Sequence, residues 1–121
     1  MQRSATSLGL IGALFLASNL ALAQQQFSGN WSVEAVTEQG TCKRISRYPV
    51  VIENGAVRSN APQGVNVSGR VQANGHIQTN IQRAMTRAEI TGRLSDRSGS
   101  GTWTTSGTVV CSGRWNAQKQ S

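Results

Sequence analysis

Apolar and polar residues alternate with a period of two along most of the chain after Gly29, rather than with the 3.6-residue period of a helix. The alternation is most regular between Ala88 and Leu94, where small or apolar residues are separated by charged or polar ones. About eight short runs of this kind follow one another, with turn signals between them. Because no part of this region has helical periodicity, the pattern predicts an all-β fold.

Short connections between the predicted strands indicate how they are arranged. The Asn-Gly pairs at 54–55 and 74–75 are typical of type I′ hairpin turns, since both residue types tolerate a positive φ. The longest loop-like stretch is Ser59–Gly64, and Pro49 requires an edge or bulge position in its strand. Sequential strands with short turns favour a single antiparallel up-and-down β-barrel of about eight strands over the alternative, a β-sandwich.

The two ends of the predicted domain carry the same short motif. Ser-Gly-x-Trp occurs at Ser28–Trp31 and again at Ser112–Trp115. This repeat indicates that the first and last strands lie side by side, as in a closed barrel. The barrel is therefore placed at residues 29–117, between a flexible polar lead-in at 24–28 and a disordered tail at 118–121.

The N-terminal segment has the layout of a secretory signal peptide. Arg3 provides the positive n-region, Leu8–Leu22 is apolar, and Ala-Leu-Ala at 21–23 is an A-x-A cleavage site. A membrane anchor is the alternative, but Asn19 interrupts the apolar run and no basic stop-transfer cluster follows. Removal of residues 1–23 predicts a mature chain without a membrane span, located in the periplasm or secreted.

Cys42 and Cys111 are the two cysteines of the chain, and both lie in the predicted mature part. An even count in an oxidising compartment indicates one disulfide, since no third cysteine competes, and two free thiols are the alternative. In the predicted barrel, the strands that hold the cysteines flank the first strand and stand ~9–10 Å apart. The bridge must therefore cross over the end of the first strand.

Basic residues outnumber acidic ones in the mature chain. Removing Arg3 from the twelve Lys and Arg leaves eleven, against five Asp and Glu, which gives a net charge of +6. The cations recur singly along the strands, which is typical of solvated outward faces. The positive charge also attracts polyanions, so an acidic glycan is a candidate partner. No nucleic-acid partner is expected without a recognition motif, and the oligomeric state is left open.

Catalytic machinery is not apparent in the sequence. His76 is the only histidine, so no histidine pair can hold a metal. Four of the five acids fall on outward positions or turns, and no two are placed as a general acid and base. No nucleophile, phosphate-binding or dinucleotide motif is present. The chain is therefore predicted not to be an enzyme and to need no metal or cofactor.

Aromatic residues form the one candidate binding site in the sequence. The set comprises Trp31, Tyr48, Trp103 and Trp115, with Arg114, Arg44 or Arg47 as nearby cationic donors. One interpretation is packing in the barrel core. The other is a stacking platform for a sugar or a flat ligand.

The predicted inward faces consist mostly of small residues, and glycine recurs there at positions 69, 92 and 113. Such glycines either let the sheet curl shut or leave room for a ligand. An eight-stranded barrel can be filled by side chains or can hold one small ligand, and the filled barrel is the default prediction.

Three short motifs resemble known proteins. Gly29–Trp31 resembles the Gly-x-Trp signature of lipocalin- and avidin-like barrels, and Trp103–Thr108 is similar to a stretch of avidins. This resemblance implies a barrel, with ligand contacts at no positions beyond Trp103 and Ser106. The ending Cys111–Trp115 resembles that of small exported β-proteins of alphaproteobacteria, which implies export and a β fold but no activity.

Two functions are consistent with these features. The first is an exported, non-enzymatic binding module for a small molecule or an acidic glycan. The alternative is a protein-interaction barrel similar to small periplasmic inhibitors of secreted metalloproteases, which insert an N-terminal trunk into the protease. Residues 24–28 would form that trunk, and deleting them would abolish partner binding without lowering thermal stability.

Overall fold

The computed structural model describes residues 25–59 and 63–121, so the predicted signal peptide at 1–23 lies outside the described residues. Eight antiparallel strands follow one another around a closed barrel. They are β1 Gly29–Gln39, β2 Ile45–Glu53, β3 Ala56–Arg58, β4 Val65–Val71, β5 His76–Arg83, β6 Thr86–Ser95, β7 Ser98–Gly107 and β8 Ser112–Lys119. The predicted all-β, up-and-down barrel of eight strands is confirmed, in preference to the β-sandwich.

The first and last strands close the barrel. β1 pairs antiparallel with β8 along most of its length, so the two Ser-Gly-x-Trp motifs lie in neighbouring strands, as their repetition predicts. Antiparallel pairing separates the motifs along the barrel, because Trp31 lies opposite Lys119 whereas Trp115 lies opposite Ala35.

Both predicted Asn-Gly hairpins are formed. Asn54 and Gly55 have φ angles of 49° and 81°, the two positive values that a type I′ turn requires. At the second hairpin only Gly75 has a positive φ, of 90°. There the side-chain oxygen of Asn74 accepts a hydrogen bond from the His76 amide at 3.0 Å, which supports a wider turn.

The barrel wall is weakest beside β3, which is only three residues long. β3 pairs with β2 over three positions and with β4 at a single pair, Ala56 with Arg70. Within the described residues, Ile45–Val50 of β2 and Val65–Gly69 of β4 therefore have no strand partner on the sides that face each other. We call this gap the wall opening. Pro49 lies in the unpaired length of β2, so its predicted edge position is confirmed.

The predicted flexible lead-in at 24–28 is wrong for the residues that the structure describes. Phe27 is packed into the core with 2% of its surface exposed. The Ser28 amide donates a hydrogen bond to the Gln25 carbonyl at 2.9 Å, so the segment forms one turn against the barrel. The polar composition around Phe27 suggested disorder, but one buried aromatic residue is enough to anchor so short a segment.

The predicted disordered tail at 118–121 is also wrong. β8 continues to Lys119. The Gln120 amide donates to the Asn30 carbonyl at 2.7 Å, and the Asn30 amide donates to the Ser121 carbonyl at 3.0 Å. The folded domain therefore extends beyond the predicted limits of 29–117, because the edge of β1 orders the last residues of the chain.

The hydrophobic core lies toward the end of the barrel where β1 begins and β8 ends. Its buried members are Phe27, Trp31, Ile52, Val57, Val71, Ile77, Leu94, Trp115 and Ala117. We call this end the plugged end, because Phe27 and Trp31 close it. The opposite end carries both cysteines and is called the disulfide end.

Candidate functional site

The interior of the barrel differs between its two halves. Toward the plugged end, inward side chains are almost fully buried, as shown by Val71 and Leu94 at 2% and 3% exposure. Toward the disulfide end, the inward side chains are only half-buried. An inward side chain of a closed barrel can be exposed only to space inside the barrel or at its openings. The inward side chains of this half are therefore partly exposed, although Val33, Val50, Ile90 and Trp103 still pack against the core.

We call the part of the interior that these partly exposed residues line the chamber. Its inward apolar residues are Val33, Val50, Val65, Val67, Ile81, Ala88, Ile90 and Trp103. The strand register places them on one side of the sheet, since Val67 pairs with Ile81 and Ile81 with Ala88. Ile90 pairs in the same way with Trp103. The chamber is thus lined by apolar groups contributed by both sides of the barrel.

Exposed apolar side chains collect around the disulfide end. In the described ranges, the exposed large hydrophobic residues are Ile45, Tyr48, Met85, Val109 and Val110. They lie in the first half of β2, in the β5–β6 turn and in the β7–β8 loop. All three places border on the disulfide end and form what we call the apolar rim. Exposed apolar side chains mark interaction or ligand sites where they form a contiguous surface.

The wall opening contains a cleft that borders on the chamber. The cleft has a volume of about 420 Å³, and Val57, Val65 and Val67 form its inward side. The remaining lining residues are Val51, Glu53, Arg58 and Ser59. A second groove of about 600 Å³ continues over the outer surface of β4. Small-molecule sites commonly have volumes of roughly 300–1,000 Å³, so the first cleft is large enough for a compact ligand.

Two of the five predicted ligand-binding residues pack inside the barrel. Trp31 and Trp115 are 2% and 4% exposed. Their indole N–H groups donate to the backbone carbonyls of Phe27 at 2.9 Å and Thr91 at 3.0 Å. Because the rings are buried and the donors are used, neither residue presents a stacking face to a ligand.

Glycines in the neighbouring strands make room for the buried or half-buried indoles. Gly101 lies opposite Trp115, and Gly92 lies opposite Gly101. An added Cβ would lie 2.6 Å from Trp115 Cζ2 at Gly92 and 2.8 Å from Trp115 Nε1 at Gly101. Gly113 faces Trp103 in the same way. Gly92 and Gly113, which the sequence places on the inward face, therefore both lie opposite β7, the strand that carries Trp103. They do not leave free space for a ligand.

Substituting Gly92 with alanine tests this packing. We expect Gly92→Ala to lower the free energy of unfolding by about 1–3 kcal/mol, because the new methyl group overlaps the Trp115 ring and the Ser100 carbonyl. Urea denaturation followed by tryptophan fluorescence measures the change. The control is Thr91→Val at the adjacent outward position, with an expected change below about 0.5 kcal/mol. Equal stability of both variants would contradict the proposed position of the indole.

The other three predicted residues do not gather at one place. Trp103 is half-buried beside the chamber, and its Nε1 donates to the Arg114 carbonyl oxygen at 3.1 Å. Tyr48 lies opposite Val33 on the inward side of β2 and is 53% exposed at the rim. The Arg114 guanidinium points outward and bonds the Glu38 carboxylate at 2.9 Å. Only Tyr48 and Trp103 therefore border on the chamber.

Two further arginines lie at the disulfide end: Arg44, which the sequence already indicates as a cationic donor, and Arg83, which it does not. Arg83 ends β5 opposite Val65 and Thr86, which places it in the inward alternation of that strand. Arg44 immediately precedes β2, and its carbonyl accepts a hydrogen bond from the Thr37 amide at 2.8 Å. An arginine that continues the inward series of Ile77, Thr79 and Ile81 is the signal by which Arg83 could have been found.

Cys42 and Cys111 form the predicted disulfide, with their Cα atoms 6.2 Å apart. The bond joins the β1–β2 and β7–β8 connections across the end of β1, as the topology predicts. Disulfide bonds persist in oxidising compartments, so the Cys42–Cys111 bond is consistent with a protein located in one. Among the described residues, no helical segment has the length and hydropathy of a membrane span.

Carboxylates in the described ranges serve mainly in ion pairs on the outer surface. The four pairs there are Glu34–Arg47, Glu38–Arg114, Glu53–Arg58 and Glu89–Arg87. The same ranges contain no group of three His, Cys, Asp or Glu side chains that could hold a metal ion. Partly exposed apolar side chains line the disulfide half of the interior, and Arg44 and Arg83 lie at the same end of the barrel.

No family model, curated protein or solved structure matches the chain.

Proposed function

We propose that the protein is an exported, non-enzymatic binding module that takes an apolar small molecule into the chamber. The observation that carries this proposal is the difference between the two halves of the barrel. One half is packed by Phe27 and Trp31, whereas the inward apolar side chains of the other half are only partly buried. Leaving apolar surface in contact with water is unfavourable, at about 25 cal/mol per Å². A ligand that covers this surface recovers that free energy.

The apolar rim and the wall opening provide the access that such a ligand needs. Tyr48 stands at the rim with half of its surface exposed, and Trp103 borders on the chamber. Aromatic side chains supply large contact areas at low entropic cost, which suits them to flat or chain-like apolar ligands. Binding at the disulfide end also leaves the plugged end free to hold the fold together.

Export is part of the proposal. The signal-peptide pattern at 1–23 and the Cys42–Cys111 disulfide both favour a mature chain in the periplasm or outside the cell. In that setting, a stapled barrel can carry or sequester a small molecule without any catalytic group.

The other hypotheses have less support. An acidic glycan needs a cluster of accessible cations, whereas four of the arginines pair with glutamates and most of the other cations recur singly along the strands. The inhibitor hypothesis depended on a free N-terminal trunk. Because Phe27 is buried in the core, its part of the lead-in is not free to enter a protease.

Binding of N-phenyl-1-naphthylamine (NPN), a neutral apolar dye that fluoresces in apolar surroundings, tests the proposal. We expect the oxidised mature protein to bind NPN and its melting temperature to rise with NPN concentration, because a ligand that binds only the native state stabilises it. Filling the chamber with Val67→Trp should weaken NPN binding by about tenfold or more, which corresponds to 1.4 kcal/mol.

The matched control is Asn66→Trp, which adds the same ring at the neighbouring outward position of β4. Circular dichroism and thermal unfolding identify any variant that has lost the fold. If NPN does not bind the folded wild-type protein, the proposal is wrong. It is also wrong if the two tryptophan variants weaken NPN binding equally, since the dye would then lie outside the chamber.

A further inference from the structure

The backbone of β4 directs hydrogen-bonding groups into the wall opening. On the side of β4 that faces β3, the Val71 amide donates to the Gly55 carbonyl at 2.8 Å. In an antiparallel strand, the N–H and C=O groups of one residue point to the same side, and successive residues alternate between the two sides. Val65 and Val67 are in phase with Val71, because β4 pairs with β5 without a register shift. Their N–H and C=O groups therefore point into the opening, where no strand of the described residues pairs with them.

The edge of β2 on the other side of the opening is less complete. The Thr37 amide of β1 donates to the Arg44 carbonyl at 2.8 Å, so the β2 residues in phase with Arg44 face β1. The alternate residues face the opening, and one of them is Pro49, which has no amide hydrogen. Prolines at such positions protect an edge against pairing. The stretch Val65–Gly69 of β4 contains no proline, so β4 is the edge that can accept a strand.

The opening has the width of one strand where it adjoins β3. There β3 lies between β2 and β4 and pairs with both. Neighbouring strands are ~4.7–4.9 Å apart, so the space in line with β3 admits one extended chain and no second sheet. The cleft of about 420 Å³ lies in this space, with Val51 of β2 and Val67 of β4 among the residues that line it.

The side chains around the cleft indicate what kind of chain fits. A residue paired with Val65 or Val67 has its own side chain on the same inward face, against the valines that line the cleft. Its neighbours in sequence point outward, beside exposed polar residues such as Ser68. The two charged lining residues, Glu53 and Arg58, pair with each other at 3.6 Å. The cleft therefore favours apolar side chains at alternate positions and has no preference for a charged partner.

We infer that the wall opening binds an extended peptide segment of a partner protein, which adds to β4 as an antiparallel strand in line with β3. The main chain of the peptide bonds the N–H and C=O groups of Val65 and Val67, and alternate apolar side chains fill the cleft. A second copy of the barrel does not fit by pairing β4 with β4, because β2 lies on the other side of each opening. This surface is additional to the proposed small-molecule site and does not depend on it.

Two peptides that differ only in their backbone amides test the inference. The first is a fluorescein-labelled peptide of seven alternating threonine and valine residues, with a lysine at each end for solubility. We expect it to bind the oxidised mature protein with a Kd below about 1 mM, measured by fluorescence anisotropy. The second carries N-methyl groups on its valines, which removes the donors directed at β4 and keeps every side chain. Its binding should be weaker by about tenfold or more.

A pair of variants tests the same contact from the side of the protein. Val67→Pro removes the amide donor of β4 without disturbing the β4–β5 ladder, since this amide faces the opening. Val67→Ala is the matched control, because it shortens the same side chain and keeps the amide. We expect Val67→Pro to bind the unmodified peptide about tenfold more weakly than Val67→Ala, with circular dichroism confirming that both are folded.

The inference is overturned if the unmodified peptide does not bind the wild-type protein, or if the N-methylated peptide binds equally well. Equal binding by the folded proline and alanine variants also overturns it. If Val67→Pro does not fold, the comparison of the two peptides on wild type decides the question alone. Failure of NPN to bind would overturn the proposed function and leave this inference standing, so the two failures are distinguishable.

Discussion

Replacing Phe27 with alanine is expected to lower the free energy of unfolding by about 3–5 kcal/mol, the usual effect of removing a buried phenylalanine ring. Phe27 is 2% exposed and closes the plugged end, where the Trp31 indole bonds its carbonyl oxygen. Small domains have total stabilities of roughly 5–15 kcal/mol, so the variant should lie near its folding threshold. Chemical denaturation of the mature protein measures the difference.

Gln26→Ala is the control, because Gln26 is exposed and precedes Phe27 in the same turn. Its expected change in the free energy of unfolding is below about 0.5 kcal/mol. If Phe27→Ala is as stable as the control, residues 25–28 do not pack against the barrel and form a free arm. In that case the trunk hypothesis for protease binding regains its basis.

Removal of the Cys42–Cys111 bond should have an effect of similar size. The cross-link joins positions 69 residues apart, and the chain-entropy model gives roughly 4 kcal/mol for a loop of that length. In a domain of this size, such a loss lowers the melting temperature by on the order of 10–30 °C. Thermal unfolding with and without reductant measures it.

The double variant Cys42→Ala/Cys111→Ala controls for effects of the reductant on other groups, and its melting temperature should match that of the reduced wild type. A thiol assay on the native oxidised protein should detect no free thiol among the two cysteines of the chain. Two titratable thiols would show that the disulfide has not formed. An unchanged melting temperature after full reduction would show that it does not stabilise the fold.

Local sequence signals predicted the fold well because each acts over a few residues. The Asn54-Gly55 turn, the period-two alternation and the Ser-Gly-x-Trp repeat each specify a backbone conformation or a pairing, and together they lead to the closed barrel. The disulfide followed from the topology and the cysteine count. These signals contain no information on how far a strand extends, so the lead-in and the tail were assigned from composition alone.

The site was harder to predict because it depends on volumes and on distant partners. Alternation correctly places Trp115 inside, but only the structure shows that its ring lies over Gly101 in the neighbouring strand β7 and over Gly92 in β6, the next strand. Likewise, the wall opening exists because β3 is short. A strand of three residues has too little sequence pattern for its length to be predicted. Arg83 was overlooked because a charged residue at a strand end is usually solvated.

The position of a bound ligand tests the central claim, that the disulfide half of the barrel is a ligand chamber, most directly. Methyl-resolved NMR of the oxidised mature protein, titrated with NPN, reports this position residue by residue. The account predicts the largest shifts and dye contacts at the methyl groups of Val67, Ile81 and Ile90, with little change at Ile77 and Leu94 in the plugged half. Contacts confined to exposed rim residues, with the inward methyl groups unchanged, would contradict it.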